Sequence, residues 1–319
     1  MRIASIDIDG VRRFGRLEGD SFVPLSTGQD PLGLLDSEFT DELEWDASVP
    51  FPDDAPLHPP LPVTTLRDFI TFEQHTAGSL RSVTGKSEVP PAWFEAPAFY
   101  FTNPHAAIGS GVDVPVPPGC EVFDFELEVG AVIGRDGYNL SVEEAWEHIA
   151  GFTIFNDWSA RDLQQREMRV GLGPAKGKDT ATTLGPVVVT KDQLEHARRG
   201  DRYDLAMEVF VNDLRIGGDS LANMAWSFAE LVAYASRGTW VRRGDILGSG
   251  TAGGGCLAEF WGWSEERTPP PLAVGDVVTM KVESIGTIAN RVVAGPALHD
   301  VPPAKRVEWS EPPLPGVTE

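Results

Sequence analysis

The chain has 319 residues, 41% hydrophobic and 23% charged, with 26 basic against 48 acidic side chains and a net charge of −22. Such a composition is that of a globular protein with a large core and about two domains, and the charge argues against nucleic acid and against an anionic membrane surface as partners. Two distant cysteines, Cys120 and Cys256, give no disulfide framework, and neither an apolar leader nor an 18-residue apolar stretch is present, so a soluble cytoplasmic protein is expected.

Residues 1–25 alternate as short strands joined by DG and EGD turns, and the acidic, proline-rich VPFPDDAPLHPPLP follows to Pro62. A small N-terminal β-domain with its linker is therefore expected over 1–60, and a main domain over 61–319. RDFITFEQHTAGSLRSVTG, residues 67–85, suggests a helix with a mobile Gly- and Ser-containing end. Strands follow near 99–103, 107–110 and 123–134. SVEEAWEHIAG fits a helix opened by a capping box, Ser141 with Glu144, and closed by Gly151. GFTIFN reads as a strand and SARDLQQRE as a helix capped by Ser159. LGPVVVT and YDLAMEVFVND have strand patterns, and Ser227 with Glu230 opens another helix running to about Arg237. DILGSG, CLAEFWGW and DVVTMKVESIG close the chain with strand-like patterns. Strands outnumber helices without alternating with them, which predicts a mixed α/β, mostly β main domain rather than a doubly wound fold.

The stretch FDFELEVGAVIG, 123–134, carries an unusual row of charge. Alternation puts Phe125, Leu127 and Val129 on one face and Asp124, Glu126 and Glu128 on the other. If that face is half buried, two carboxylates about 6–7 Å apart repel by roughly 2–3 kcal/mol. A hard divalent cation removes the conflict, because carboxylates at i and i+2 can converge on it; a solvated face of an amphipathic strand gives the same pattern. In FNDWSARDLQQRE, Asp157 ends a strand, with Arg161 and Gln164 following roughly on one side of the next helix; an N-cap and an ordinary surface helix would look alike. His75 lies seven residues after Asp68, and a lone histidine is commonly structural. Glu259 sits among Leu257, Phe260 and Trp261, where its charge needs a partner such as a histidine, or an exposed turn. GPAKGKDT has Asp179 where a P-loop needs Ser or Thr, and GSGTAGGG fits no dinucleotide fingerprint, leaving close backbone approach to a ligand as its use. Neither a nucleophile elbow nor a catalytic cysteine context is present.

Taken in order along 62–300, these stretches resemble the fumarylacetoacetate hydrolase family. The resemblance implies a β-roll main domain, usually a homodimer, with the short N-terminal β-domain of bacterial members. It implies one divalent cation, Mg2+ first with Mn2+ or Ca2+ as alternatives, held by Asp68, Glu126, Glu128 and Asp157. His75 matches the general base and Glu259 its carboxylate partner. Lys178, Arg161 and Gln164 fall where developing negative charge is bound, and Tyr100 and Thr251 match substrate contacts. One residue more than usual precedes Lys178, which leaves Lys176 as its alternative. Ile70 and Met168 stand where the fumarylacetoacetate-cleaving members have tyrosines. The loop after His75 offers Arg81 and Lys86 but no clear match for the basic residue that grips the distal carboxylate. The implied reaction is hydrolysis of a C–C bond in a 1,3-dicarbonyl acid such as an acylpyruvate. Alternatives are an isomerase, decarboxylase or hydratase working through an enolate of a 2-oxo acid, and, outside enzymes, a cation-binding β-protein.

Overall fold

The N-terminal strands β1 (Arg2–Ile8), β2 (Val11–Glu18) and β3 (Ser21–Pro24) form an antiparallel meander that ends on the two-residue strand β4 (Val49–Pro50). The DG and EGD turns are where the pattern puts them, with Asp9, Gly10 and Gly19 in the left-handed region. The computed structural model describes residues 1–36, 42–52, 57–264 and 266–309; residues 53–56 of the proline-rich segment fall outside them.

Next in the chain come β5 (Leu66–Phe69), helix α1 (Glu73–Thr84), β6 (Phe99–Thr102), β7 (Ala107–Ile108), β8 (Val114–Pro115) and β9 (Leu127–Ile133). They are followed by α2 (Val142–Glu147), β10 (Ile149–Asp157), α3 (Arg161–Met168) and β11 (Thr182–Thr190). The remainder is β12 (Ala206–Val211), β13 (Leu214–Ser220), α4 (Phe228–Ala235), β14 (Ile246–Gly248), α5 (Leu257–Trp261), β15 (Val277–Val282) and β16 (Gly286–Val293).

Among the described residues, eleven strands make one sheet, in the order β4-β3-β2-β1-β11-β10-β9-β14-β5-β6 with β7 beside β11. A second sheet has the order β13-β12-β15-β16-β8. The class is the expected mixed, mostly β one. β1 pairs antiparallel with β11 through Arg2–Val189 and Ile3–Val188, so the N-terminal strands continue the central sheet. Alternation along β9 divides two cores. Leu127, Val129, Ala131 and Ile133 join the core shared with the second sheet and α4. Val132 joins Phe155, Ile246, Leu66 and Ile3 in the other.

Four local expectations are corrected. Residues 66–69 are a strand and the helix starts at Glu73, because Phe69 and Phe72 are buried and Leu66–Phe69 pairs with two neighbouring strands. CLAEFWGW is not a strand but holds α5, whose first three residues, Leu257, Ala258 and Glu259, are all buried. Gly151 does not close α2; it lies in β10, where a Cβ would stand 2.3 Å from the Val189 carbonyl oxygen. Ser159 does not cap α3, whose N-cap is Ala160. Both predicted capping boxes are formed, Ser141–Glu144 on α2 and Ser227–Glu230 on α4. No helix among the described residues is long and apolar enough to cross a membrane.

In the second box the Glu230 carboxylate accepts the Ser227 N–H at 2.6 Å and the Ser227 hydroxyl accepts the Glu230 N–H at 3.4 Å. Ser227→Ala is expected to lower stability by about 1 kcal/mol, measured by urea denaturation.

Candidate active site

Asp68, Glu126, Glu128 and Asp157 come from the ends of β5, β9 and β10 and are all buried. β14 lies between β9 and β5, with Gly248 paired to Asp68 on one side and to Gly130 on the other. Strands two apart are roughly 9.5 Å from each other, so the Asp68 and Glu128 side chains must meet above β14. They can because Gly248 is there: a Cβ would stand 2.6 Å from Asp68 Oδ1 and 2.9 Å from Glu128 Oε2. Ligand oxygens of Asp68, Glu126 and Glu128 lie within 4.8 Å of one another.

Two cations enter the same cluster. Lys178 Nζ donates to Glu126 Oε2 and to Asp157 Oδ2, both at 2.6 Å, and to Ser159 Oγ at 2.7 Å. Arg161 Nη1 reaches Glu126 Oε1 at 2.7 Å, while its Nε and Nη2 lie 2.9 and 2.8 Å from Asp124 Oδ2. Gln164 Oε1 accepts from Arg161 Nη1 at 3.2 Å, holding the guanidinium rather than standing apart from it. Burial disfavours the Lys178 ammonium, but Asp157 and Glu126 hold its pKa above the usual lysine value. Burial likewise disfavours charge on Glu126, and Lys178 with Arg161 overcomes it and pulls its pKa far down.

For Asp68, Glu128 and Asp157 burial outweighs the neighbouring cations, even though Lys178 reaches Asp157. Burial raises Asp68, Glu128 and Asp157 above the ordinary range, and the mutual proximity of Asp68 and Glu128 adds to the rise in Glu128. Among the described residues, Asp68 Oδ1 and Asp157 Oδ1 are buried without a hydrogen-bond partner. Unpartnered carboxylate oxygens above a glycine cradle form an all-oxygen donor set that fits a hard divalent cation. Glu128 is further oriented by the Gly250 N–H at 3.0 Å, with the Thr251 hydroxyl 3.5 Å away. Tyr100, expected as a substrate contact, donates its phenolic O–H to Asp157 Oδ2.

His75 is the third residue of α1 and is buried beside the cluster. Its Nδ1 stands 3.7 Å from Glu259 Oε2, an ion-pair separation rather than a hydrogen bond; Ser79 Oγ lies 3.2 Å from Nε2. Glu259 accepts from Gln74 Nε2 at 2.9 Å and from the Gly254 N–H at 2.7 Å. Burial opposes its ionisation, yet His75, Gln74 and Gly254 outweigh burial and keep its pKa below the ordinary glutamate value. α1 can lie this close to α5 because of Gly78, whose Cβ would stand 2.4 Å from Glu259 Cγ. Gly78 belongs to the segment expected to be mobile, and close helix packing is what it serves.

The structure separates the two lysines. Lys176 is exposed and pairs with Asp179 at 2.8 Å, whereas Lys178 is in the cluster. Arg81 donates to the Gly262 carbonyl at 2.7 Å and lies over Trp263, away from the carboxylates. Met168 is largely exposed at the end of α3.

Three supporting roles were not read from the sequence. Asp124 accepts the Leu257 and Ala258 N–H groups at 2.9 and 3.0 Å as well as Arg161, so one carboxylate fixes both the guanidinium and the start of α5. Glu167 accepts the backbone N–H groups of Lys176 and Gly177 at 2.8 and 2.6 Å and so clamps the loop that delivers Lys178. Cys256 places its Sγ 3.7 Å from His75 Nδ1, and burial beside Asp124 raises its thiol pKa well above the usual value. Asp124 had a signal, its place in the charged row; Glu167 and Cys256 had none.

The family described as fumarylacetoacetate (FAA) hydrolase, C-terminal, matches residues 66–293, which span every residue named in this site. The chain belongs to the fumarylacetoacetate hydrolase family. Within that family it is 32% identical over 241 residues to the oxaloacetate tautomerase YisK of Bacillus subtilis (strain 168), covering 74% of this chain and 72% of the relative. It is 29% identical over 300 residues to a fumarylacetoacetase of Arabidopsis thaliana, covering 74% and 71%. The solved 5-carboxymethyl-2-hydroxymuconate delta-isomerase of Mycobacterium smegmatis matches with a TM-score of 0.68 at 25% identity, over 92% of this chain and 100% of that one. Fumarylacetoacetate hydrolase family members thus include tautomerases and isomerases as well as hydrolases.

Gly248→Ala is expected to weaken divalent-cation binding by about 10–100-fold, the range for disturbed support of a metal ligand, with calorimetric titration as the measurement.

Proposed function

We propose that this chain is a divalent-cation-dependent enzyme of 2-oxo acids that hydrolyses a C–C bond in a 1,3-dicarbonyl acid of the acylpyruvate type. The observation that carries the proposal is the buried carboxylate cluster lying beside the buried His75–Glu259 pair. When bound by Asp68, Glu126, Glu128 and Asp157, Mg2+, or Mn2+ or Ca2+ in its place, would supply Lewis acidity and a template for a chelating keto acid.

The remaining work belongs to the chain's own side chains. His75 takes a proton from water, and Glu259 stabilises the resulting imidazolium. The hydroxide adds to the distal carbonyl; the C–C bond then breaks, leaving one carboxylic acid and an enolate. Arg161 and Lys178 hold the enolate's charge, and His75 returns its proton to the enolate carbon, which gives the second acid. Gln164 keeps Arg161 in place, while Tyr100 and Thr251 border the carboxylates and shape where the substrate lies. With Arg81 turned to Gly262 and Ile70 and Met168 in place of tyrosines, an acyl group without a distal carboxylate suits this site better than a fumaryl one. Homodimeric assembly and a cytoplasmic location are part of the same proposal, on the family's pattern.

A second reading is keto–enol tautomerisation of a 2-oxo diacid. The 32% identity to an oxaloacetate tautomerase over 74% of the chain favours it, and His75 can carry a proton between carbon and oxygen without consuming water.

Chelator-treated protein, with and without added Mg2+, is to be tested on a panel of acylpyruvates and on oxaloacetate. Loss of enol absorbance with two acidic fragments by mass spectrometry is the expected result. Absorbance change without fragments would replace hydrolysis by tautomerisation, and no metal-dependent change on any member would overturn both. His75→Ala is expected to lower kcat by about 10²–10⁴-fold while calorimetric cation affinity stays within a few-fold; retained turnover would remove His75 from its role.

A further inference from the structure

We propose that His75, Cys256 and Glu126 form a second, softer metal site that takes Zn2+ and thereby blocks proton transfer at His75. The block on turnover rests on the function proposed above; the site itself does not. All three residues are buried, and His75 nitrogen, Cys256 Sγ and a Glu126 oxygen lie within 4.8 Å of one another. The thiol does no work in the reaction above, yet it faces the base across 3.7 Å. Zinc ligands at about 2.3 Å for sulfur and 2.0–2.1 Å for imidazole nitrogen, in tetrahedral array, stand roughly 3.5 Å apart. The 3.7 Å between Cys256 Sγ and His75 Nδ1 already suits such an ion, and the Glu126 oxygen lies within 4.8 Å of both.

Donor chemistry sets this site apart from the carboxylate cluster. Thiolate and imidazole select Zn2+ over Mg2+ and Ca2+, whereas an all-oxygen set favours the hard ions. Glu126 belongs to both sets and would bridge them. The local charge is favourable, because Glu259 Oε2 lies 3.7 Å from His75 Nδ1 and Asp124 holds the turn just after Cys256. The opposing terms are Arg161 and Lys178, one of which must release a Glu126 oxygen. On binding, the sulfur–hydrogen bond breaks, the thiol proton goes to solvent and the sulfur lone pair goes to the ion. The Nδ1 lone pair is then engaged and His75 can no longer accept a proton through it.

Co2+ serves as the probe, added to the full chain in saturating Mg2+. A thiolate-to-cobalt charge-transfer band in the near ultraviolet is expected in the wild type and in Cys120→Ser, lost in Cys256→Ser, and bleached by Zn2+. A wild type that binds Co2+ without the band overturns the site, as does a band that survives in Cys256→Ser. If Cys256→Ser does not fold, X-ray absorption on Cys120→Ser loaded with one equivalent of Zn2+ decides alone. A sulfur scatterer near 2.3 Å supports the site, and a shell of only nitrogen and oxygen removes it. In the activity assay, Zn2+ is expected to inhibit wild type at least ten-fold more strongly than Cys256→Ala; equal inhibition would confine Zn2+ to the carboxylate cluster. The spectra need no turnover, so an incorrect choice of reaction leaves them decisive.

Discussion

The molecule is organised around a concentration of buried negative charge. Asp68, Glu126, Glu128, Asp157 and Asp124 are all within a few side chains of each other, and water does not screen them. Such a group persists only where opposite charge is built in close by, and Lys178 and Arg161 supply part of it. Asp68, Glu128 and Asp157 remain under strain from burial and from each other. That residual imbalance is what a divalent cation would relieve, so in the proposed function charge neutralisation and cation binding are one problem with one solution.

Much of the surrounding structure serves to bring the compensating groups in. The 248–255 loop lies along the start of β9, the Ser249 and Ala252 N–H groups donating to Val129 and Leu127 and Leu127 donating to Gly255. Its glycines let the backbone come near enough for the Gly250 N–H to reach Glu128 and for the Gly254 N–H to reach Glu259. Trp158, fully buried between the two halves of the NDWSARD segment, stacks on Phe123 and donates to Thr183, which fixes the strand end that presents Asp157. The helix bearing Arg161 thereby starts from a rigid point.

How much of this could be read from the sequence depended on whether the signal was local. The charged row was legible because the alternation of apolar and acidic residues is a local pattern, and Phe125, Leu127 and Val129 do join the core, although the strand expected over 123–134 is interrupted at residues 125–126 and is regular only over 127–133. Capping boxes were legible for the same reason. Helix α5 was not, since LAEFW has five residues and its apolar content fits strand and helix equally; the deciding contact, Asp124 at its first N–H groups, comes from 133 residues away. Ser159 looked like a cap, but its hydroxyl bonds the Asp157 carbonyl and Lys178, a tertiary competitor no window could reveal. Lys176 and Lys178 differ only in what the Glu167 clamp does to their loop. The importance of Gly248 required knowing that β14 intervenes between β9 and β5. The expectation of a separate β-unit up to residue 60 came from the proline-rich segment, whereas the pairing of β1 with β11 is a non-local register.

That pairing has a bearing on solubility. β11 is a nine-residue strand, mostly apolar and buried, and without β1 the backbone of its Val188–Val189 end would be a template for another chain. The meander relocates the open edge from β11 to β4, which has two residues, one of them a proline that cannot donate to a ladder. The N-terminal meander, within the first fifty residues, thus acts as a terminator for the central sheet, moving its open edge onto a short strand.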